Sequence, residues 1–263
     1  MKKTLVLLLG IIVASWQIVT FAAEQSNAQS RAQAHTELGA AYFSRGQFGV
    51  ALEELKAAVK ADAGYVPAYN MFGLIYMELR EFPQAEESFQ HGLRLDESNP
   101  EIHNNYGLFL CQNGRVDDGI KHFFASLKNP LYTTPEKSFL NAGLCSVKIN
   151  DYQGATDFFI KALKLRPQQP QALYYLSEIA YKRNNFPEAK KYLAKLLQAA
   201  PVGSEALWLG VRIERKLGNR DVEADYALQL HKKFPNSLEA QALRSGDYEF
   251  SEWLKPEEQK VVK

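Results

Sequence analysis

Small residues set in apolar surroundings punctuate the chain at nearly even steps. Gly39, Gly73, Gly107, Gly143, Ser177 and Gly210 follow one another at intervals of 34, 34, 36, 34 and 33 residues. An apolar or aromatic residue directly precedes each: Leu38, Phe72, Tyr106, Ala142, Leu176 and Leu209. Twelve residues later stands a short side chain (Ala51, Ala85, Gly119, Ala155, Ala189, Val222), and four residues after that a large one (Leu55, Phe89, Phe123, Phe159, Leu193, Tyr226). No stretch alternates apolar and polar with period two over a useful length, so the pattern predicts helices and no sheet. Breaks fall regularly between them. Gly46, Gly114, Asn150, Asn184 and Gly218 lie in turns within each period, where Gly and Asn accept the left-handed conformation that ends a helix. Pro67, Pro100, Pro135, Pro167, Pro170, Pro201 and Pro235 mark the junctions between periods, and Pro83 and Pro187 suit the first turn of a following helix.

A period of about 34 residues, read as two helices around one small–large contact, is the tetratricopeptide pattern. The small residue lets the first helix (A) approach the second (B) closely, and the large one fills the space beside it. The expected fold is therefore all-α, a right-handed superhelix of six tetratricopeptide helix pairs with a C-terminal capping helix. Six repeats run from about Arg31 to Pro235. Asn129 to Pro135 are extra residues after the third repeat, and Asn236-Ser237 is placed to cap a closing helix that ends near Leu243. The predicted organisation is a signal peptide or N-terminal anchor over 1–22, a linker over 23–30, the solenoid over 31–243, and a flexible tail over 244–263.

The N-terminal reading rests on Lys2-Lys3 followed by the apolar run Leu5 to Ala14, with small residues at Thr20 and Ala22. This resembles a secretory signal cut after Ala22, although Thr4 to Ala23 is also close to the length that spans a bilayer. Either way the remainder is exported. Removal of Lys2 and Lys3 leaves 29 basic against 30 acidic residues, a net −1 in place of +1. A near-neutral chain without a basic run argues against nucleic acid as a partner. Lys190-Lys191 and Lys232-Lys233 read as solvated helix faces.

Candidate chemistry is sparse. The two cysteines, Cys111 and Cys145, fall late in the A helices of adjacent repeats. In an exported chain this register favours a disulfide, the alternative being two buried thiols that act as small hydrophobes. His35, His91, His103, His122 and His231 show no metal-ligand spacing, and no phosphate loop or nucleophile elbow is present. The expectation is a non-enzyme with no cofactor and no metal.

The informative surface is the groove lined by the A helices. Repeat register places Thr36, Ala40 and Phe43 there from the first repeat, Asn70, Leu74 and Met77 from the second, and Asn104, Leu108 and Cys111 from the third. The fourth supplies Leu140, Leu144 and Val147, and the fifth Tyr174, Glu178 and Tyr181. An apolar stripe with Asn70 and Asn104 as hydrogen-bonding groups suits an amphipathic helix or an extended apolar segment of a partner. The competing reading is that these side chains pack between neighbouring A helices. The candidate binding residues are Phe43, Asn70, Leu74, Met77, Asn104, Leu108, Leu140 and Leu144.

Several runs are more specific than the repeat consensus. They are His103-Asn104-Asn105-Tyr106-Gly107-Leu108-Phe109-Leu110-Cys111, Asn129-Pro130-Leu131-Tyr132, Asn141-Ala142-Gly143-Leu144-Cys145 and Ala206 to Arg215. Tyr226 to Leu230, followed by Phe234-Pro235-Asn236-Ser237, completes the set. From about Glu37 to Ala242 the chain resembles the type IV pilus biogenesis/stability proteins of Gram-negative bacteria, the PilW/PilF type. The resemblance implies a non-catalytic periplasmic scaffold associated with the outer membrane. Such a scaffold acts as a pilotin that promotes membrane localisation and multimerisation of the secretin, and supports pilus stability. It implies the secretin as partner and a pairing of Cys111 with Cys145; the chain itself is expected to be monomeric. Members of this type are typically lipoproteins. Here Val13-Ala14-Ser15 is followed by Trp16 where they carry the lipid-bearing cysteine, so membrane association would come through the partner or the N-terminal segment. The alternatives are an envelope adaptor for another client and a regulatory subunit of an envelope enzyme.

Overall fold

A computed structural model describes residues 24–250. Among these residues the chain is all-helical. α1 covers 24–44 and α2 Phe48–Ala61; α3 covers Val66–Glu78 and α4 Phe82–Leu95; α5 covers Pro100–Gln112 and α6 Val116–Ser126. α7 covers Pro135–Lys148 and α8 Tyr152–Leu165; α9 covers Pro170–Lys182 and α10 Phe186–Ala199; α11 covers Ser204–Leu217 and α12 Arg220–Lys233. The short α13, Leu238–Ser245, closes the series. Odd-numbered helices up to α11 are the A helices and even-numbered ones the B helices, giving six pairs. The segment expected as a linker, 23–30, is helical from residue 24 and continues into α1. The N-terminal segment 1–22 lies outside the described residues.

The contact that generates the period is the one expected from the pattern. A Cβ added to Gly143 would lie 2.5 Å from Cε1 of Phe159, and one on Gly107 would lie 2.9 Å from both the Gly119 carbonyl and the Phe123 ring. Phe89, Phe123 and Phe159 are fully buried. In the fifth repeat the serine hydroxyl serves the same close approach, Ser177 Oγ donating to the Ala189 carbonyl at 2.7 Å. A larger side chain on A would force the two helices apart at these points.

Each A-to-B turn contains one residue in the left-handed conformation: Gly46, Arg80, Gly114, Asn150, Asn184 and Gly218. Five are Gly or Asn, as the sequence predicts; Arg80, at φ 61°, is not. Helix starts use the expected devices. Prolines occupy the first turn of α3, α4, α5, α7, α9 and α10. Asn99, Asp151 and Ser237 accept from the third backbone N–H beyond them, at 3.0, 2.9 and 3.1 Å.

The chain divides into two compact units, one up to Thr133 and one from Thr134. In the first, one apolar cluster gathers Leu55, Phe72 and Ile75, and another Phe89, Ile102, Tyr106, Phe109 and Leu110. Its last B helix is short, 11 residues against 14 for α2. The extra residues that follow are held by Asn129, whose Nδ2 donates to the Ser98 carbonyl at 3.1 Å. In the second unit, Leu140, Phe159, Leu176 and Ile179 form one cluster, and Leu173, Tyr181, Leu193, Leu209 and Ile213 the next. A last cluster, Leu207, Trp208, Val211, Leu230 and Ala240, covers the open end of the series with α13. The tail expected as flexible over 244–263 is in contact with this cluster through Tyr248 and Phe250; 251–263 lie outside the described residues.

Candidate protein-binding site

In the first unit the candidate residues sit on α1, α3 and α5. Phe43, Leu74, Met77 and Leu108 are half-buried. Each therefore keeps one side against the protein and offers the other to solvent. Leu74 and Met77 rest on the Phe89–Ile102–Leu110 cluster, and Phe43 packs on the Phe48 ring at 5.8 Å between centroids. Asn104 is buried. Its Nδ2 donates to Asn105 Oδ1 at 3.1 Å, and Asn105 Nδ2 donates to Asn70 Oδ1 at 3.0 Å. The two amides read as separate recognition groups are thus joined, through a residue that sequence register passed over, into one chain linking α5 to α3. That chain holds the two A helices in register, and Asn70 itself is half-buried. The repeated Asn104-Asn105 pair beside Asn70 was the available signal.

In the second unit, Leu144 is half-buried while Leu140 is buried. Leu140, packed with Phe159 and Leu176, and the buried Asn104 therefore belong to helix packing rather than to an open face. Cys111, on α5, and Cys145, on α7, are both buried. Both are disulfide-bonded, and since the chain holds two cysteines the bond joins them, as expected from their register.

Two polar clusters were not evident from the sequence. In the first unit, His103 and His122 meet across α5 and α6, Nδ1 to Nδ1 at 2.8 Å, while His103 Nε2 faces the Glu97 carbonyl at 2.9 Å. Tyr106 packs on His122, and its hydroxyl donates to Glu86 at 2.7 Å; Glu86 is also bound by Arg115 at 2.6 Å. Burial, and then the neighbouring His103, pushes His122 down to about 4. Burial likewise lowers His103.

In the second unit, Glu178 of α9 and Arg212 of α11 form an ion pair with both side chains only 2% exposed. The Tyr174 hydroxyl donates to Glu178 at 3.3 Å. The Arg212 guanidinium lies 4.8 Å from the Tyr181 ring centroid and 5.9 Å from that of Trp208. Glu214, also buried, is met by Lys190 at 2.8 Å and by Asn219 at 2.6 Å. Register had assigned Tyr174, Glu178 and Tyr181 to the groove, and the structure draws all three into this buried network. The hint in the sequence is Arg212 set inside the apolar run Ala206 to Ile213, with Glu214 directly after it. The Glu178–Arg212 pair ties the A helices α9 and α11 together, and Lys190–Glu214 ties the B helix α10 to α11. Among the described residues no group of three or more His, Cys, Asp or Glu is placed to hold a metal ion.

Comparison with known proteins gives this surface a context. Tetratricopeptide-repeat family models match residues 70–130 and 149–209. The type IV pilus assembly protein PilF of Pseudomonas aeruginosa is 28% identical over 212 residues, covering 81% of this chain and 84% of that protein. The solved structure of Pseudomonas aeruginosa PilF superposes with a TM-score of 0.76 at 27% identity, over 84% of this chain and 99% of the other. That of PilW, a widely conserved type IV pilus biogenesis factor, gives 0.74 at 29% identity, over 81% and 98%. With six helix pairs built on the same small–large contact, these likenesses identify the chain as a tetratricopeptide protein of the type IV pilus biogenesis kind.

Proposed function

We propose that this chain is a non-catalytic scaffold of the bacterial envelope. It acts in the periplasm at the outer membrane as a pilotin, promoting localisation and multimerisation of the type IV pilus secretin and supporting the pilus. The observation that carries this reading is the half-exposed apolar face on the A helices of the first unit. Phe43, Leu74, Met77 and Leu108 stand there beside Asn70, on a chain related along most of its length to type IV pilus assembly proteins. A soluble repeat protein keeps such a face when a partner covers it. An amphipathic segment of the secretin would bury its apolar side on the leucines, and its polar groups would bond the Asn70 amide. Among the described residues no helix is long and apolar enough to cross a membrane, so membrane association would come through the partner or through the segment before residue 24.

The test is pull-down of the secretin from periplasmic and membrane extracts, scored together with its assembly into multimers. Leu108→Glu is the first variant, because Leu108 belongs to no apolar cluster of the core; Leu74→Glu/Leu108→Glu is the second. Burying an unpaired carboxylate in the interface should weaken binding by about a hundredfold. Circular dichroism and thermal melting must first show a folded chain. Wild-type capture and assembly of the secretin by folded Leu108→Glu would move the binding site elsewhere. Capture of a different envelope protein, lost in the same variant, would retain the scaffold and replace its client.

A further inference from the structure

The second unit holds a different kind of surface, and the chain's own C-terminal segment covers it. After α13, Gly246 takes the left-handed conformation and Asp247 to Phe250 close as a turn, Phe250 N–H donating to the Asp247 carbonyl at 3.2 Å. The turn lies against α11. The Tyr248 ring stacks on Trp208, with centroids 5.7 Å apart and planes at 20°. The Arg215 guanidinium stands 3.9 Å from the Tyr248 ring centroid. Trp208 Nε1 donates to the Phe250 carbonyl at 2.8 Å, and Glu249 meets Lys216 at 3.5 Å. Trp208, Arg212 and Arg215 are spaced along one side of α11, and Tyr181 of α9 completes the row through its contact with Arg212.

The fit is incomplete in one respect. The apolar and π surfaces are matched, but the polar floor is not. Arg212 Nε and the Tyr181 hydroxyl are buried with no hydrogen-bond partner among the described residues. Leaving such donors unpaired is costly. Glu249 is close enough to add, after burial and alongside Glu178, to the raised pKa of Tyr181. Yet its side chain is 79% exposed and turned to Lys216. A carboxylate seated more deeply is the kind of acceptor these orphaned donors lack, while an aromatic ring took the place of Tyr248 between Trp208 and Arg215.

From this juxtaposition we infer that the α9–α11 surface is a second peptide-recognition site. Its partner is a turn-forming segment in which an acidic residue adjoins an aromatic one, and residues 247–250 occupy the site in cis until that partner displaces them. The cis segment itself supplies the chemistry of the occupant: a ring for the Trp208–Arg215 clamp, a backbone carbonyl for Trp208 Nε1, and a carboxylate for the basic side of α11. This surface is separate from the apolar face of the first unit and does not depend on the identity of the client bound there.

The test uses the full chain and a fluorescently labelled peptide of residues 244–250 blocked at both ends, titrated by anisotropy. The wild-type chain should bind it weakly, because the site is filled. Tyr248→Ala/Glu249→Lys should loosen the cis segment and raise affinity by about tenfold or more. Adding Arg215→Ala, a half-exposed side chain, should remove that gain. A peptide with Asp and Glu replaced by Asn and Gln should bind the loosened variant less tightly than the acidic one. If loosening Tyr248 unfolds the second unit, Glu249→Lys alone decides the matter. Glu249 is exposed, so its replacement leaves the fold intact, and it should still raise affinity. The inference is overturned if folded variants bind the peptide no better than wild type, if Arg215→Ala makes no difference, or if the neutral peptide binds equally well. The secretin is absent from this assay, so its failure leaves the pilotin reading standing, and failure of that reading leaves this one.

Discussion

At the residue scale, single backbone and side-chain choices are tuned against strong local preferences. Arg80 is the clearest case. It holds the left-handed turn position that Gly or Asn holds in the other five repeats. That conformation costs a non-glycine residue roughly 1–2 kcal/mol, while glycine loses about 0.5–1 kcal/mol in extra unfolded-state entropy. The side chain is exposed, so Arg80→Gly should stabilise the chain by about 0.5–1 kcal/mol. Chemical denaturation would show it as a higher midpoint; a lower one would mean the arginine side chain makes a contribution larger than the strain. The His103–His122 pair makes a second prediction, in pH. Both pKa values are lowered by burial, His122 to about 4. The groups around them are Asp96 and Lys128 for His103, and Asp118 and Arg115 for His122. Because the folded pKa lies below the unfolded one, the unfolded chain takes up protons first as pH falls. Stability is then complete above about pH 6.5 and declines from there toward pH 4, by up to about 1.4 kcal/mol per pH unit for each proton. His122→Gln should flatten that decline in melts recorded between these limits.

At the scale of the element, the helix pair depends on a small residue facing a large one, and two opposing effects can be weighed there. Replacing a mid-helix glycine by alanine gains about 1 kcal/mol of helix propensity. At Gly143 the added Cβ would meet the buried Phe159 ring at 2.5 Å, and overpacking of a filled core costs about 1–3 kcal/mol. The clash should win or cancel, so Gly143→Ala should leave stability unchanged or lower by up to about 2 kcal/mol. Adding Phe159→Leu should recover part of the loss in a double-mutant cycle. Gly49, in α2, has nothing near its Cβ position, and Gly49→Ala should be neutral or stabilising by up to about 1 kcal/mol. If both glycines respond alike, close packing is not what selects Gly143. The same scale explains the buried Glu178–Arg212 pair. Such a pair seldom adds net stability over apolar packing, but losing one partner strands the other charge. Its position between α9 and α11 therefore serves register of adjacent A helices more than strength.

At the scale of the whole molecule, the chain is a series of near-identical units whose stability comes from neighbours along the sequence. A covalent bond that closes a loop of about 34 residues adds something the repeats cannot, by reducing the freedom of the unfolded chain. Cys111→Ser should lower stability by about 2–4 kcal/mol. Non-reducing peptide mapping should show the Cys111–Cys145 link in wild-type protein, and two free thiols in periplasmically produced protein would refute it. The last repeat carries the other large-scale feature. Its outer side is closed by α13 and the turn at Tyr248, as an open repeat series requires. That closure places a ligand-like segment on the A helices, so that end-capping and recognition use the same residues.

What the sequence determined by itself is whatever depends on period. The spacing from Gly39 to Gly210 specified six helix pairs; Gly, Asn and Pro marked their ends; Ser237 marked the closing helix; and the phase of Cys111 and Cys145 placed two sulfurs for a bond. These features were legible because each is set by neighbours close along the chain or one repeat away. Tertiary structure alone decided how far each side chain on a predicted face is covered. Register put Leu140, Leu144, Asn70 and Asn104 on one surface, but packing buried Leu140 and Asn104, left Leu144 half-exposed, and tied the two amides together through Asn105. It also turned Glu178, Arg212 and Glu214, charged residues that composition assigns to solvent, into buried pairs. The tail past Ser245 carries no helical period, and its place was set by a tryptophan, an arginine and a backbone carbonyl brought together from 42 residues apart. Local periodicity cannot encode such a meeting, because it depends on which surfaces remain uncovered once the helices have packed.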